Sequence, residues 1–430
     1  FEKAKKALDR YNSDANYRLL FDQIADLFAE LLKSDLEYLN TNNLNKISLA
    51  SKWCPSVDSS YDKTTLICEA IARRMFPREE YEEGIEEAHY AYRIRDRLRK
   101  EVLVPLHKAL ELPEVSMSAK EWNLLKYNRV PSIAMQNYSS RFAEHDSERF
   151  TEFLEDVKSG KKKMAAGALL PHQIISQLEN DSEGEVGEEV AELQWERMVD
   201  DLAKKGKLKS SLAICDVSGS MAGTPMNVCV ALGLLVSELN EEPWKGKVIT
   251  FSENPQLHVV TGSSLREKTR FFWEMDFGMN TDFQKVFDRI LEVAVENNLT
   301  DDQMIKRLFV FSDMEFDDAR VDSHSEMSDY ESNSESDYES VPESFEKWET
   351  DYEVVQRKYK EKDFENVPEI VFWNLRDSSA TPVVSKQKGV AMVSGFSKNL
   401  LTLFLEEGGI VNPEDVMLLA IKGVSEACCL

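Results

Sequence analysis

The chain has 430 residues, with 78 acidic side chains against 52 basic ones and a formal net charge of −26. That balance argues against indiscriminate binding to nucleic acid or to an anionic membrane, since both need a positive surface. The length exceeds what one core supports, and 42% hydrophobic residues are enough to build two or three.

The first half reads as helical. In "YRLLFDQIADLFAELLKSDLEYL" (17–39), Leu20, Ile24, Leu27 and Leu31, together with Phe21, Phe28 and Leu32, recur at three- and four-residue spacing. This is the pattern of an amphipathic helix. The stretches 64–76, 91–112, 139–160 and 188–206 repeat it, and strand-like runs are scarce. Residues 1–207 are therefore expected to form an α-helical domain with a repeat-like build. The acidic "ENDSEGEVGEE" (179–189) reads as a loop near its end.

Two basic clusters stand out in this half. Arg93, Arg97 and Lys100 share a helical face, and Lys161, Lys162 and Lys163 are consecutive. One reading is a solvated face paired with acids such as Glu82, Glu83, Glu86 and Glu87. The other is phosphate contacts to RNA.

After residue 207 the pattern changes. Short unbroken apolar runs at 212–215, 247–251, 307–311, 369–373 and 390–393 alternate with helical segments. Continuous apolar strands separated by helices predict a parallel sheet covered on both faces. Residues 208–430 are thus expected to form a doubly wound α/β domain, with ligands bound beyond the carboxyl ends of its strands.

"ICDVSGSMAG" (214–223) lies at such an end. Asp216, Ser218 and Ser220 alternate in a loop where Gly219 can turn left-handed. Thr224 is the expected cap of the next helix, with Pro225 at its first position. Carboxylate and hydroxyl oxygens suit a hard divalent cation such as Mg²⁺ or Mn²⁺. Further ligands should come from neighbouring strand ends. Thr281 and Asp282 in "FGMNTDFQKVF" and Asp313 in "FVFSDMEF" fit. The plainer reading makes all of these turn and cap residues. If Asp216 and Asp313 do face each other, their repulsion predicts that Asp216→Ala stabilises the metal-free fold.

The acidic, serine-rich stretch 321–344 holds too little apolar surface to fold, so a disordered insertion is expected over about 320–344. Ser328, Ser332, Ser334, Ser336 and Ser340 each stand three residues before an acid, as in acidophilic kinase sites. The six cysteines form no C-x-x-C pair and read as reduced thiols, with Cys215 packed in a core. No run approaches a membrane span. A cytoplasmic or nuclear location is expected. The chain begins at Phe1, so it reads as truncated and its N-terminal targeting is not assessable.

Asp216-x-Ser218-x-Ser220, then Thr281, then Asp313 resemble the metal-ion-dependent adhesion site of von Willebrand factor A domains. The resemblance covers roughly 208–430. It implies a Rossmann-like fold, those five residues as metal-site residues, and a carboxylate from a protein partner completing the shell. With a helical first half, the layout also resembles the Ro autoantigen (TROVE-module) proteins, which implies binding of small and misfolded RNAs. "ISLASKWCPSVDSSYD", "YNRVPSIAMQNYSSRF", "GALLPHQII" and "EEPWKGKVITFS" resemble a plant family of uncharacterised proteins with the same layout.

The function expected on these grounds is a non-enzymatic intracellular scaffold that engages a protein partner through the metal. A Ro-like RNA-binding protein is the alternative. A metal-dependent hydrolase is the third reading.

Overall fold

The computed structural model describes residues 2–179, 184–250, 255–275, 283–314, 355–364, 367–376 and 389–405. They fall into two compact units, Phe1–Lys126 and Tyr127–Leu430.

The first unit is all helical. It contains α1 (Glu2–Ser13), α2 (Ala15–Asn40), α3 (Ala50–Trp53), α4 (Ser60–Thr65), α5 (Ile67–Met75), α6 (Glu87–Arg97), α7 (Val104–Ala109) and α8 (Pro113–Ala119). Its core is built where α2 meets α5. Ala25, Ala29 and Leu32 of α2 pack with Cys68, Ile71, Ala72 and Met75 of α5 and with Tyr90 and Ile94 of α6. The two alanines let the helices approach closely. Arg74 of α5 then reaches across to Asp22 at 2.9 Å and to Asp26. Asp14 caps α2 by accepting the amides of Asn16 and Tyr17, each at 3.0 Å.

Two of the helices expected in this unit are interrupted. The run 64–76 is two helices, because Leu66 takes a left-handed φ of 61° between α4 and α5. Buried Asp62 holds that break. It accepts the amides of Asp58 at 2.9 Å and Cys68 at 3.1 Å, and Arg95 at 3.4 Å. The run 91–112 continues from α6 into α7, but through a π-helical stretch, Leu98–Leu103.

In the second unit, α9 (Ser132–His145), α10 (Ser147–Lys158), α11 (Pro171–Glu179) and α12 (Gly184–Ala203) precede the sheet. The run 139–160 breaks at Asp146, whose carboxylate accepts the Tyr127 hydroxyl at 2.7 Å beside a cluster of Phe142, Phe150 and Phe153. The 179–189 stretch departs from the loop expected of it. Glu179 ends α11 and Gly184–Glu189 open α12, leaving 180–183 outside the described residues. Its acids are tolerated at a helix N-terminus, where the dipole favours negative charge. Burial of Val190, Ala191, Leu193 and Trp195 holds the helix that follows.

Among the described residues the sheet has six strands: β1 (Ser211–Cys215), β2 (Lys247–Thr250), β3 (Leu257–Val259), β4 (Arg307–Ser312), β5 (Glu369–Asn374) and β6 (Val390–Ser394). Their order is β3-β2-β1-β4-β5-β6, all parallel except the edge strand β3. All five apolar runs became strands. β3, only three residues long and not continuously apolar, had no such signal. The helices α13 (Thr224–Leu239), α14 (Leu265–Trp273), α15 (Phe283–Glu296) and α16 (355–361) accompany it. Alternation along β1 divides the core in two. Ala213 and Cys215 face α11, α12, α13 and α14. Leu212 and Ile214 face α15 and α16. The first layer places α11 and α12 in one core with the sheet, so the helical segments after Tyr127 belong to the sheet's compact unit.

Candidate functional site

The loop after β1 is set by the neighbouring strand. The Asp216 amide donates to the Phe311 carbonyl at 3.0 Å, extending the ladder one residue past β1. The buried Asp216 carboxylate then serves two elements. Its Oδ1 accepts the Ser218 amide at 3.0 Å and so turns the chain. Its Oδ2 accepts the Ser312 hydroxyl at 2.7 Å, from the end of β4. Ser312 Oγ in turn accepts the Met314 amide at 3.1 Å, next to a left-handed Met314 with φ 64°. Ser312 was not among the residues expected here. Its only sequence signal is its place before Asp313 at the end of an apolar run.

Ser218 and Ser220 converge, with hydroxyl oxygens 2.9 Å apart. Ser218 is half-buried and Ser220 exposed. Asp313 follows Ser312 and is buried at the carboxyl end of β4, adjacent to β1. Thus Asp216, Ser218, Ser220 and Asp313 all lie at the carboxyl ends of two paired strands. Thr281 and Asp282 lie outside the described residues.

Two local expectations need correction. Gly219 opens a 3₁₀ turn (Gly219–Met221), and the left-handed glycine is Gly223, with φ 91°. Gly223 is also the N-cap of α13, so Thr224 is the first helical residue and Pro225 follows it. Only glycine accommodates that φ without strain, which fixes where the loop turns into the helix.

Beneath the loop, Cys229 of α13 donates to the same Phe311 carbonyl at 3.5 Å. Burial, followed by the neighbouring Cys215 thiol, pushes the Cys229 thiol well above its usual range. The Cys229 sulfur is an inert core group.

Residues 210–426 match the family described as "Domain of unknown function (DUF7788)", and residues 1–208 match "Domain of unknown function (DUF2828)". The chain belongs to the DUF7788 family. All of the proposed metal-site residues fall within its DUF7788 region. "Uncharacterized protein L728" of Acanthamoeba polyphaga mimivirus is 29% identical over 411 residues, which are 91% of this chain and 64% of that protein. The chain therefore spans less than two thirds of that relative's length. The crystal structure of Deinococcus radiodurans RO (RSR) protein aligns with 94% of this chain and 90% of that one, at 14% identity and a TM-score of 0.36. At that score the likeness carries no inference about fold or function.

The basic clusters of the DUF2828 region are largely tied to acids. Arg97 donates to Glu101 at 3.1 Å and to the Tyr81 hydroxyl at 2.8 Å, and lies 4.0 Å over the Phe76 ring. Lys100 pairs with Asp96 at 2.9 Å. Lys161 and Lys162 both reach Asp156, at 3.4 and 3.0 Å. Glu87 is shared by Arg73 at 2.6 Å and Arg78. Arg93 and Lys163 are exposed. Ser328, Ser332, Ser334, Ser336 and Ser340 lie outside the described residues of the DUF7788 region. Among the described residues, no helix is long and apolar enough to cross a membrane.

Proposed function

We propose that this chain is a non-enzymatic binding protein that carries a divalent-cation site on its sheet and engages a partner protein there. The observation that supports this most directly is the pair of Ser218 and Ser220 hydroxyls, 2.9 Å apart, in the loop that Asp216 turns. Two hydroxyls with the carboxylates of Asp216 and Asp313 form a hard-oxygen donor set that suits Mg²⁺ or Mn²⁺. The donors fit a cation. Each serine oxygen keeps a lone pair beyond the hydroxyl–hydroxyl bond, and Ser220 opens to solvent. Each Asp216 oxygen has one amide or hydroxyl donor and a further lone pair.

In this reading Ser218 and Ser220 face the cation, Asp216 fixes the loop and adds charge, and Asp313 supplies the second carboxylate. Thr281 is the fifth residue of the set. A cation held there would offer the positive charge that attracts a carboxylate from the partner. Among the basic residues proposed for RNA, Arg97, Lys100, Lys161 and Lys162 are occupied by acids, so the protein-partner reading is preferred.

Calorimetric titration of the full chain with Mg²⁺ or Mn²⁺ tests this. Wild type should bind in the millimolar range or tighter, and Ser218→Ala/Ser220→Ala should lose the heat. Equal heats in both proteins would remove the cation site. Capture of a partner that survives chelation unchanged would remove its role in docking.

A further inference from the structure

The long helix α2 carries two apolar stripes, and the first unit uses only one. Ala25, Ala29 and Leu32 are buried, with Phe21, Phe28, Leu36 and Leu39 packed against that core. The other stripe is open among the described residues. Leu20 is 60% exposed, Ile24 39%, Leu27 55% and Leu31 37%, with Leu19 beside them at 62%. Exposed large apolar residues scattered singly need no explanation. Four in register on three turns of one helix mark an interaction surface.

The spacing of the stripe identifies what fits it. Leu20, Ile24, Leu27 and Leu31 follow one another by four, three and four residues. That alternation is the seam of a two-helix coiled coil. It also reads the same in both directions. An antiparallel copy of α2 would therefore place Leu20 against Leu31 of its mate and Ile24 against Leu27 of its mate, with every layer filled twice by symmetry. Such a self-complementary patch is what a two-fold interface requires.

The polar edge of the stripe agrees. Asn16, Gln23, Glu30 and Glu37 lie seven residues apart along it, and all four are exposed. In the antiparallel arrangement Gln23 meets Glu30 of the mate, and Asn16 meets Glu37 of the mate. Each carboxylate then faces an amide N–H donor.

We propose that the exposed stripe of α2 pairs with the same stripe of a second copy of this chain, antiparallel about a two-fold axis between Ala25 and Asp26. The interface is short, about 16 Å of helix from Leu20 to Leu31. A weak, concentration-dependent dimer is therefore expected rather than an obligate one. This proposal is independent of the cation site, which lies in the other unit.

Sedimentation equilibrium of the full chain across a concentration series tests it. Wild type should show a monomer–dimer equilibrium. Ile24→Asp/Leu27→Asp should weaken it by at least about tenfold, since both positions lose apolar contact and gain like charge at the axis. Both side chains point to solvent, so the variant should keep its circular dichroism and melting temperature. Orientation is read by mixing Leu20→Cys protein with Leu31→Cys protein and adding a short bismaleimide. Cross-links should join residue 20 of one chain to residue 31 of the other, identified by peptide mass. Cross-links of residue 20 to residue 20 would overturn the antiparallel pairing. A wild type that stays monomeric at all concentrations would overturn the proposal, as would a partner other than this chain that protects these residues.

Discussion

The hydroxyl of Ser312 donates to Asp216 Oδ2 at 2.7 Å, tying the end of β4 to the end of β1 inside the sheet's buried rim. The second Asp216 oxygen holds the Ser218 amide at 3.0 Å. Deleting this carboxylate therefore strands two donors, which opposes the relief of repulsion from Asp313 that the sequence suggests. Leaving buried donors unpaired costs about 1–3 kcal/mol. Asp216→Ala is expected to lower the melting temperature of the metal-free protein, and Ser312→Ala to lower it by less. A raised melting temperature for Asp216→Ala would mean that carboxylate repulsion dominates.

Gly233 of α13 lies against Cys215 of β1. A Cβ on Gly233 would fall on the Cys215 sulfur, with Phe272 Cε1 next at 3.4 Å. Both neighbours are fully buried, so neither can swing away. Gly233→Ala should cost about 1–3 kcal/mol through overpacking. Pairing it with Cys215→Ala removes the obstructing sulfur, and the double variant should be more stable than the two single costs add to. Strict additivity in chemical denaturation would show that the clash is relieved elsewhere.

Asp62 is buried and accepts Asp58 N, Cys68 N and Arg95 at 2.9, 3.1 and 3.4 Å. It holds the left-handed break at Leu66 between α4 and α5. Asp62→Ala should destabilise the first unit by about 1–3 kcal/mol, because two amides lose their acceptor, while the half-buried Arg95 keeps Asp58 as a partner. Asp62→Asn keeps one acceptor oxygen and should recover part of that loss. Hydrogen exchange at the Cys68 amide reports the break directly. Unchanged protection there in Asp62→Ala would contradict the assignment.

His172 packs edge-on to the Phe396 ring, with centroids 5.5 Å apart, and its Nδ1 is buried with no hydrogen-bond partner among the described residues. Burial holds its pKa below the ordinary histidine value. The unfolded chain therefore binds the proton more readily than the folded one. The stability this contributes is complete above the unfolded pKa of about 6.5 and is lost as pH falls from there toward the lower folded pKa. His172→Gln should flatten the melting-temperature profile between pH 7 and about 5. An identical slope in wild type and variant would place the pH sensitivity in other groups.

The strands of the sheet were legible because a parallel strand buried on both faces must be apolar at every position. Leu212–Cys215 and Leu308–Phe311 announce themselves without any partner. The loop after β1 was legible for a similar reason, since an acid and two hydroxyls must stand at fixed short spacing to converge. Local pattern reached no further than that. It marked both stripes of α2 as apolar, but which one met α5 depended on Ala25 and Ala29 allowing close approach, a property of two helices rather than one. It marked Arg97 and Lys100, and separately Lys161, as basic, and the acids that pair with them, Glu101, Asp96 and Asp156, stand only four or five residues away, within the same local pattern. It passed over Ser312 because a serine gains its meaning from the residue it faces, and Asp216 is 96 positions away in the chain. Periodicity is a property of one segment and survives in the sequence. Pairing belongs to two segments, and only tertiary structure decides which two meet.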